Sequence, residues 1–329
     1  MDRMQTSADY KKCKKIQKAD LHVHLNGLFD TELIKEILLE ENIIIPEGID
    51  YEEHLHSIHY SRSLNDYLKP WEILRLIPTK ERNLSMLIDK AFETLRADHV
   101  KYVELRSSVI YLSFLLNKTI EDTFLILLQN LNQASKKRQV DYRLIMTVPR
   151  DGNSLQHLNT LLTAYKNLNY PDAIVGLDLA GNENIQIIKG LGKAFKEAKD
   201  QFGLKLTVHA GETGNINNII EAVQLFGADR IGHGIAAAES EKLMDLLAKK
   251  NICLEICPIS NRKTNAVKDS ELLPISKFIK HQVPFVICSD NPGIHKAPLS
   301  HDYYEILMET QDWSIIENMY SQQMKYSFG

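Results

Sequence analysis

The residues of this chain best suited to chemistry are imidazoles and carboxylates placed where apolar runs end. His22 and His24 close the run "KADLHVHL" (18 to 25), and their spacing of two puts both rings on one face of an extended strand. His209 and Glu212 close "LKLTVHAGE" (204 to 212), His233 lies in "DRIGHG" (229 to 234), and Asp290 ends "VPFVICSDN" (283 to 291) beside Asn291. A carboxylate is costly to desolvate unless it is hydrogen-bonded, paired or bound to a metal, so an apolar strand that delivers one to its end has a use for it. Neutral imidazole and carboxylate are zinc ligands, and four of these groups from three strands can share one ion, with room left for water, if the strand ends converge. Such an ion acidifies water for hydrolysis. A lone histidine at a strand end is usually a structural hydrogen-bonding group, so the joint placement carries the reading. His54, His56 and His59 form a second cluster, but they lie at no strand end and are read as non-ligating.

Positioning these groups requires strands that run the same way. Runs at 18–25, 100–108, 141–149, 173–181, 204–212, 229–234, 251–261 and 283–291 are β-rich, with helical patterns between them. In "ESEKLMDLLAKK" (239 to 250), Leu243, Leu246 and Leu247 share one face. Alternating strands and helices predict an α/β fold, a (β/α)8 TIM barrel whose chemistry sits at the C-terminal strand ends. Between the first and second runs lie about seventy residues, more than a crossover helix needs. This predicts a helical insertion after strand 1, a lid at about residues 30–98, with Trp71, Leu74, Leu76 and Ile77 as its apolar cover. No Pro/Gly/Ser-rich linker divides residues 1–329, which are read as a single metal-dependent hydrolase domain.

With Lys+Arg 39 against Asp+Glu 43 and a formal charge of −4, the chain offers no electrostatic reason to expect nucleic acid or an anionic membrane as partner. The basic run from Lys11 to Lys15 reads as a solvated tail. The N-terminal residues lack the apolar core of a signal peptide and no apolar stretch reaches membrane-span length, so a cytoplasmic protein is expected. Cys13, Cys253, Cys257 and Cys288 form no CxxC pair and read as reduced, packed thiols.

"HVHLNG", "DLAGNE", "VHAGET", "RIGHG", "CPISN" and "SDNPG" together resemble the motif series of the adenosine deaminase family, TIM-barrel zinc enzymes of the amidohydrolase superfamily. The likeness runs in order from about residue 18 to the closing "MKYSF", nearly the whole chain. The HxE and PCxxC signatures of the smaller zinc deaminases are not in the sequence. The resemblance implies one zinc ion per chain on His22, His24, His209 and Asp290. It implies Glu212 as proton donor to a purine ring nitrogen and His233 as the group that orients and helps activate the attacking water, with Asp290 accepting a hydrogen bond from it. His24, Asn26, Gly181 and Asn291 fall on the substrate side, Gly181 through its backbone. The implied reaction turns adenosine or 2′-deoxyadenosine into inosine or 2′-deoxyinosine plus ammonia.

Two positions depart from the family pattern, both by an amide in place of a carboxylate. Asn26 stands where many adenosine deaminases have an Asp against the ribose hydroxyls, and "HLNG" is similar to the branch that acts on N6-methyl-AMP. Asn291 stands where an Asp commonly faces purine N7, an edge to which an amide can donate at any pH. The expected partner is therefore a small purine nucleoside or nucleotide, with AMP, N6-methyl-AMP or another amino-heterocycle as alternative substrate. A different superfamily hydrolysis and a silent purine-binding protein are further alternatives, against which Glu212, His233 and Gly181 weigh.

Overall fold

A computed structural model describes residues 7–45, 47, 49, 55 and 64–329. Eight parallel strands form one sheet in sequence order: β1 (Lys18–His24), β2 (Val100–Ser107), β3 (Asp141–Pro149), β4 (Ile174–Ala180), β5 (Lys205–Ala210), β6 (Arg230–His233), β7 (Cys253–Ile256) and β8 (Phe285–Ile287). Most strand residues are buried on both faces, as helices outside and side chains inside a closed barrel require. The ring closes just past β8, where Asp290 bridges Val23: His24 N donates to Asp290 O at 2.9 Å and Asp290 N to His22 O at 2.8 Å. The first and last strands thus meet at the residues that carry His22, His24 and Asp290.

All eight expected strands are present, several shorter than their apolar runs. "CPISN" leaves β7 for the helix Pro258–Lys263, where Pro258 occupies the first turn that lacks an N–H acceptor anyway. The helix Glu241–Lys250 buries Leu243, Met244 and Leu247 on the expected face, after Ser240 caps the N–H of Leu243. After β1 come the helices Thr31–Glu40, Leu64–Tyr67 and Pro70–Leu74 of the insertion, then Glu81–Ala97. This last helix buries Leu84, Leu87, Ile88, Ala91 and Leu95, and it packs on β2 and the helix Ile120–Arg138. The histidines His54, His56 and His59 lie outside the described residues.

The basic run is not a solvated tail. Residues Ala8–Lys15 form a helix that buries Tyr10 and Cys13 against the helix Leu299–Thr310. Lys18, fully buried, turns its ammonium back onto the carbonyls of Cys13, Lys14 and Ile16 at 2.8 to 3.2 Å. A cation at a helix C-terminus satisfies carbonyls that have no partner within the helix. Two buried residues three apart are too weak a period to reveal that helix from sequence. All four cysteines are buried and free. Among the described residues, no helix is long and apolar enough to cross a membrane.

Candidate active site

At the C-terminal strand ends, His22, His24, His209 and Asp290 each offer a ligand atom, all within 4.8 Å of one another. His24 Nε2 lies 3.1 Å from His209 Nε2 and 3.4 Å from Asp290 Oδ1, and His22 Nε2 lies 3.6 Å from the same oxygen. The far ring nitrogens are committed elsewhere. His22 Nδ1 lies 2.8 Å from Glu255 Oε2 and His209 Nδ1 2.9 Å from Asp178 Oδ1. Carboxylates only accept, so each Nδ1 carries the proton and each Nε2 presents a lone pair to the cluster. Burial drives the His24 imidazole down to about 3 and lowers His209 as well, which keeps both neutral. Burial alone would raise the Asp290 carboxyl, but its interaction with His22, His24 and His233 holds it well below the usual range. Three imidazole nitrogens and a carboxylate oxygen converging on one point form a donor set that fits a metal ion.

Glu212 sits beside this cluster, buried, with Oε1 3.7 Å from His233 Nε2. Desolvation, then the charges of Asp290 and Glu183, push its carboxyl well above the ordinary value, which favours its protonated form. His233 has its tautomer fixed by a chain of donors. Cys257 N donates to Asn261 Oδ1, which turns Asn261 Nδ2 towards His233 Nδ1 at 3.0 Å. Nδ1 is therefore the acceptor and Nε2 carries the proton, facing Glu212. Burial, then the neighbouring His22, keeps this ring well below its usual range and neutral.

His233 and Asp290 both take left-handed backbone conformations, each with φ of 62°. For a histidine this is a strained state that persists where surrounding structure imposes it, as active sites often do. Gly181, with φ of 115°, occupies a region that side chains rarely adopt. A cavity of ≈ 380 Å³ opens above these groups and is bounded by His24, Asn26, Gly181, Glu212, His233 and Asn291. Trp71, Leu74 and Ile77 of the insertion complete its wall, while Leu76 packs against the core instead. His22, fully buried, lies beneath the cavity rather than in its wall. Asn26 Oδ1 accepts from Gly27 N at 3.1 Å, which leaves its amide hydrogens for another partner.

The structure adds residues that the pattern of strand ends left out. Asp178 and Glu255 orient the two histidines; both are acids inside apolar strands, the same signal that singled out Asp290. Arg106 lies between them, with NH1 3.3 Å from His22 Nε2 and 3.5 Å from Asp178 Oδ2. Glu183 accepts from Gly211 N and Thr213 N and so fixes the turn that carries Glu212. Ser260 donates to Asp290 Oδ2 at 2.6 Å, and Tyr67 reaches the same oxygen from the insertion at 3.2 Å. Nothing in the local sequence around Tyr67 distinguishes it from an apolar lid residue.

Compared with known proteins, residues 17–328 match the family pattern described as adenosine deaminase. An adenosine deaminase of Clostridium kluyveri is 30% identical over 292 residues, which cover 88% of this chain and 83% of that protein. Two solved structures share the fold. An amidohydrolase of Burkholderia ambifaria with bound zinc superposes with a TM-score of 0.85 at 18% identity, covering 98% of this chain and 89% of the other. The N6-mAMP deaminase of Arabidopsis superposes with a TM-score of 0.82 at 22% identity, covering 97% and 95%.

Proposed function

Because this chain belongs to the adenosine deaminase family, hydrolases of C–N bonds in cyclic amidines, we propose that it deaminates adenosine and 2′-deoxyadenosine with one zinc ion on His22, His24, His209 and Asp290. The observation that carries this reading is Glu212, a carboxyl whose protonated form burial favours, at the edge of a cavity beside the four ligand residues. Held by that set, a zinc ion would supply Lewis acidity and would lower the pKa of a water towards neutrality. Glu212 delivers its proton to the ring nitrogen, which makes the amine-bearing carbon electrophilic. His233, donating through Nε2, steers the attacking oxygen, and Asp290 accepts a hydrogen bond from it. The backbone at Gly181 and the amides of Asn26 and Asn291 hold the substrate. Of the attacking water's two protons, one replaces that given by Glu212 and the other converts the amine to ammonia, which leaves as the C–N bond breaks and the carbonyl forms. We further propose that residues 1–329 act as a single barrel domain with the insertion at about residues 30–98 as its lid, in the cytoplasm, on small molecules rather than nucleic acid or membrane.

A second reading is favoured by Asn26, whose free amide hydrogens suit an anionic oxygen: the substrate is then AMP or N6-methyl-AMP. The test of both is a panel of adenosine, 2′-deoxyadenosine, AMP, N6-methyl-AMP and adenine, with ammonia (methylamine for N6-methyl-AMP) and zinc content measured. Release from one or more members is expected, and none from any would sink the assignment. Asn26→Asp then separates the readings. A negative charge at this half-buried position should lower kcat/KM for the 5′-phosphates about tenfold or more relative to adenosine, since close like charges repel strongly in a partly buried site. An unchanged ratio would place the phosphate away from Asn26.

A further inference from the structure

The insertion reaches the metal-ligand cluster through one hydroxyl. Tyr67 ends the helix Leu64–Tyr67 and is buried at the head of the cavity. Its oxygen lies 3.2 Å from Asp290 Oδ2, 2.9 Å from Asn291 Nδ2, 2.8 Å from His295 Nε2 and 3.3 Å from Ser260 Oγ, whose own proton goes to Asp290 Oδ2 at 2.6 Å. The phenol has one proton to give and two lone pairs to fill. Asn291 Nδ2 can only donate, so one lone pair accepts from it; the proton goes to the charged oxygen of Asp290, and His295 Nε2–H fills the second lone pair. Every hydrogen-bonding position of the hydroxyl is then used.

This arrangement divides the carboxylate of Asp290 between two tasks. Oδ1 faces His22 and His24, at 3.6 and 3.4 Å, and is the oxygen available to a metal. Oδ2 faces away, held by Ser260 at 2.6 Å and by Tyr67. Ser260 follows β7 on the barrel itself, whereas Tyr67 comes from the insertion. Asn291 is clamped by the same hydroxyl. Its Oδ1 is buried with no hydrogen-bond partner among the described residues and packs on Gly27, where an added Cβ would lie 1.9 Å away. One Nδ2 hydrogen is committed to Tyr67, so a single hydrogen of that amide remains for a ligand.

We propose that Tyr67 is a positioning residue whose hydroxyl fixes both the outer oxygen of Asp290 and the amide of Asn291, so that the site is fully assembled only with the insertion closed over it. The inference rests on the zinc-dependent deaminase reading given above. It makes lid closure and site assembly one event, because the group that covers the cavity also completes the hydrogen bonding of a metal ligand. Groups that hold metal ligands from outside typically matter ten- to a hundredfold in metal affinity or activity.

Tyr67→Phe removes the hydroxyl and keeps the ring. In zinc-loaded protein its kcat on the best substrate of the panel should fall about tenfold or more, with thermal stability near that of the unmodified protein. Metal release to a chelator should accelerate by a similar factor, and the visible spectrum of the cobalt-substituted protein should shift. Asn291→Ala removes the amide that this hydroxyl holds, and KM should rise several-fold; an unchanged KM would take Asn291 out of the proposal. A kcat and a chelator release rate both within twofold of the unmodified protein would overturn the proposal. So would a fall in melting temperature with kcat unchanged, the mark of a merely structural residue. If the unmodified protein turns over no member of the panel, the deaminase reading fails, and chelator release and the cobalt spectrum still decide the role of Tyr67.

Discussion

Glu212→Gln is expected to lower kcat by about a thousandfold while leaving zinc content and purine binding close to those of the unmodified protein. General acid–base groups contribute on the order of 10²- to 10⁴-fold, and an amide of the same shape can hold a hydrogen bond to the ring nitrogen but cannot give up a proton to it. Metal content is the control that makes the result interpretable, since Glu212 is outside the four-residue donor set. The pH profile gives a second signature. Burial raises the Glu212 carboxyl well above its ordinary value, so its proton is present below that raised pKa and lost as pH climbs through it. Activity of the unmodified protein should therefore decline on the alkaline side by loss of this proton, and the residual activity of Glu212→Gln should lack that limb. The sign for stability follows from the same shift. The folded state binds this proton more tightly than the unfolded chain, so folding loses stability as pH rises from the unfolded value towards the raised one. The neutral isostere removes that cost, and a melting temperature at pH 8 no lower than that of the unmodified protein is expected. A kcat within tenfold of the original, with metal retained, would take Glu212 out of the acid role.

Much of the barrel is legible in the sequence because its signal is long-range and repeated. Eight apolar runs at intervals suited to helices leave few arrangements, and the ends of those runs hold the four residues whose ligand atoms converge. What is not legible depends on partners far apart in the chain. An acid inside an apolar strand looks the same whether it meets a metal, as Asp290 does on this reading, or orients a ligand's far nitrogen, as Asp178 and Glu255 do. Asn291 shows the same limit. Its residue type allows donation to a purine nitrogen, but half of that capacity is used by Tyr67, a residue more than two hundred positions away in the chain. The tautomer of His233 likewise depends on Asn261, and through it on the N–H of Cys257. The basic helix Ala8–Lys15 escapes for another reason: its buried face is too narrow to outweigh its charges.

Glu255→Ala tests whether the floor of the barrel supports the site above it. Glu255 is fully buried and its two oxygens serve four partners: Arg106, Arg230 Nε at 2.7 Å, Thr207 Oγ1 at 3.1 Å and His22 Nδ1 at 2.8 Å. Burial alone would raise its carboxyl, but the two guanidinium groups hold it well below the ordinary range. Removing it leaves Arg106 beside Asp178 and Arg230 beside Glu104, so each cation keeps one carboxylate. Breaking a buried ion pair costs about 3–5 kcal/mol, and this remaining compensation places the expected loss near about 3 kcal/mol. At a few degrees per kcal/mol, melting should fall by the order of 10 °C at neutral pH. The sign with pH follows from the depressed carboxyl: its contribution is complete above the unfolded value of about 4.3 and fades as pH falls towards the folded one. The gap between variant and unmodified protein should therefore narrow below about pH 4. Zinc affinity should fall as well, because His22 loses the acceptor that fixes which nitrogen faces the cluster, an effect of roughly ten- to a hundredfold for such partners. Melting and chelator competition on the same samples check both halves. A variant that melts lower but keeps its zinc affinity would confine Glu255 to holding the barrel together, whereas coupled losses would make the ionic floor part of the metal site.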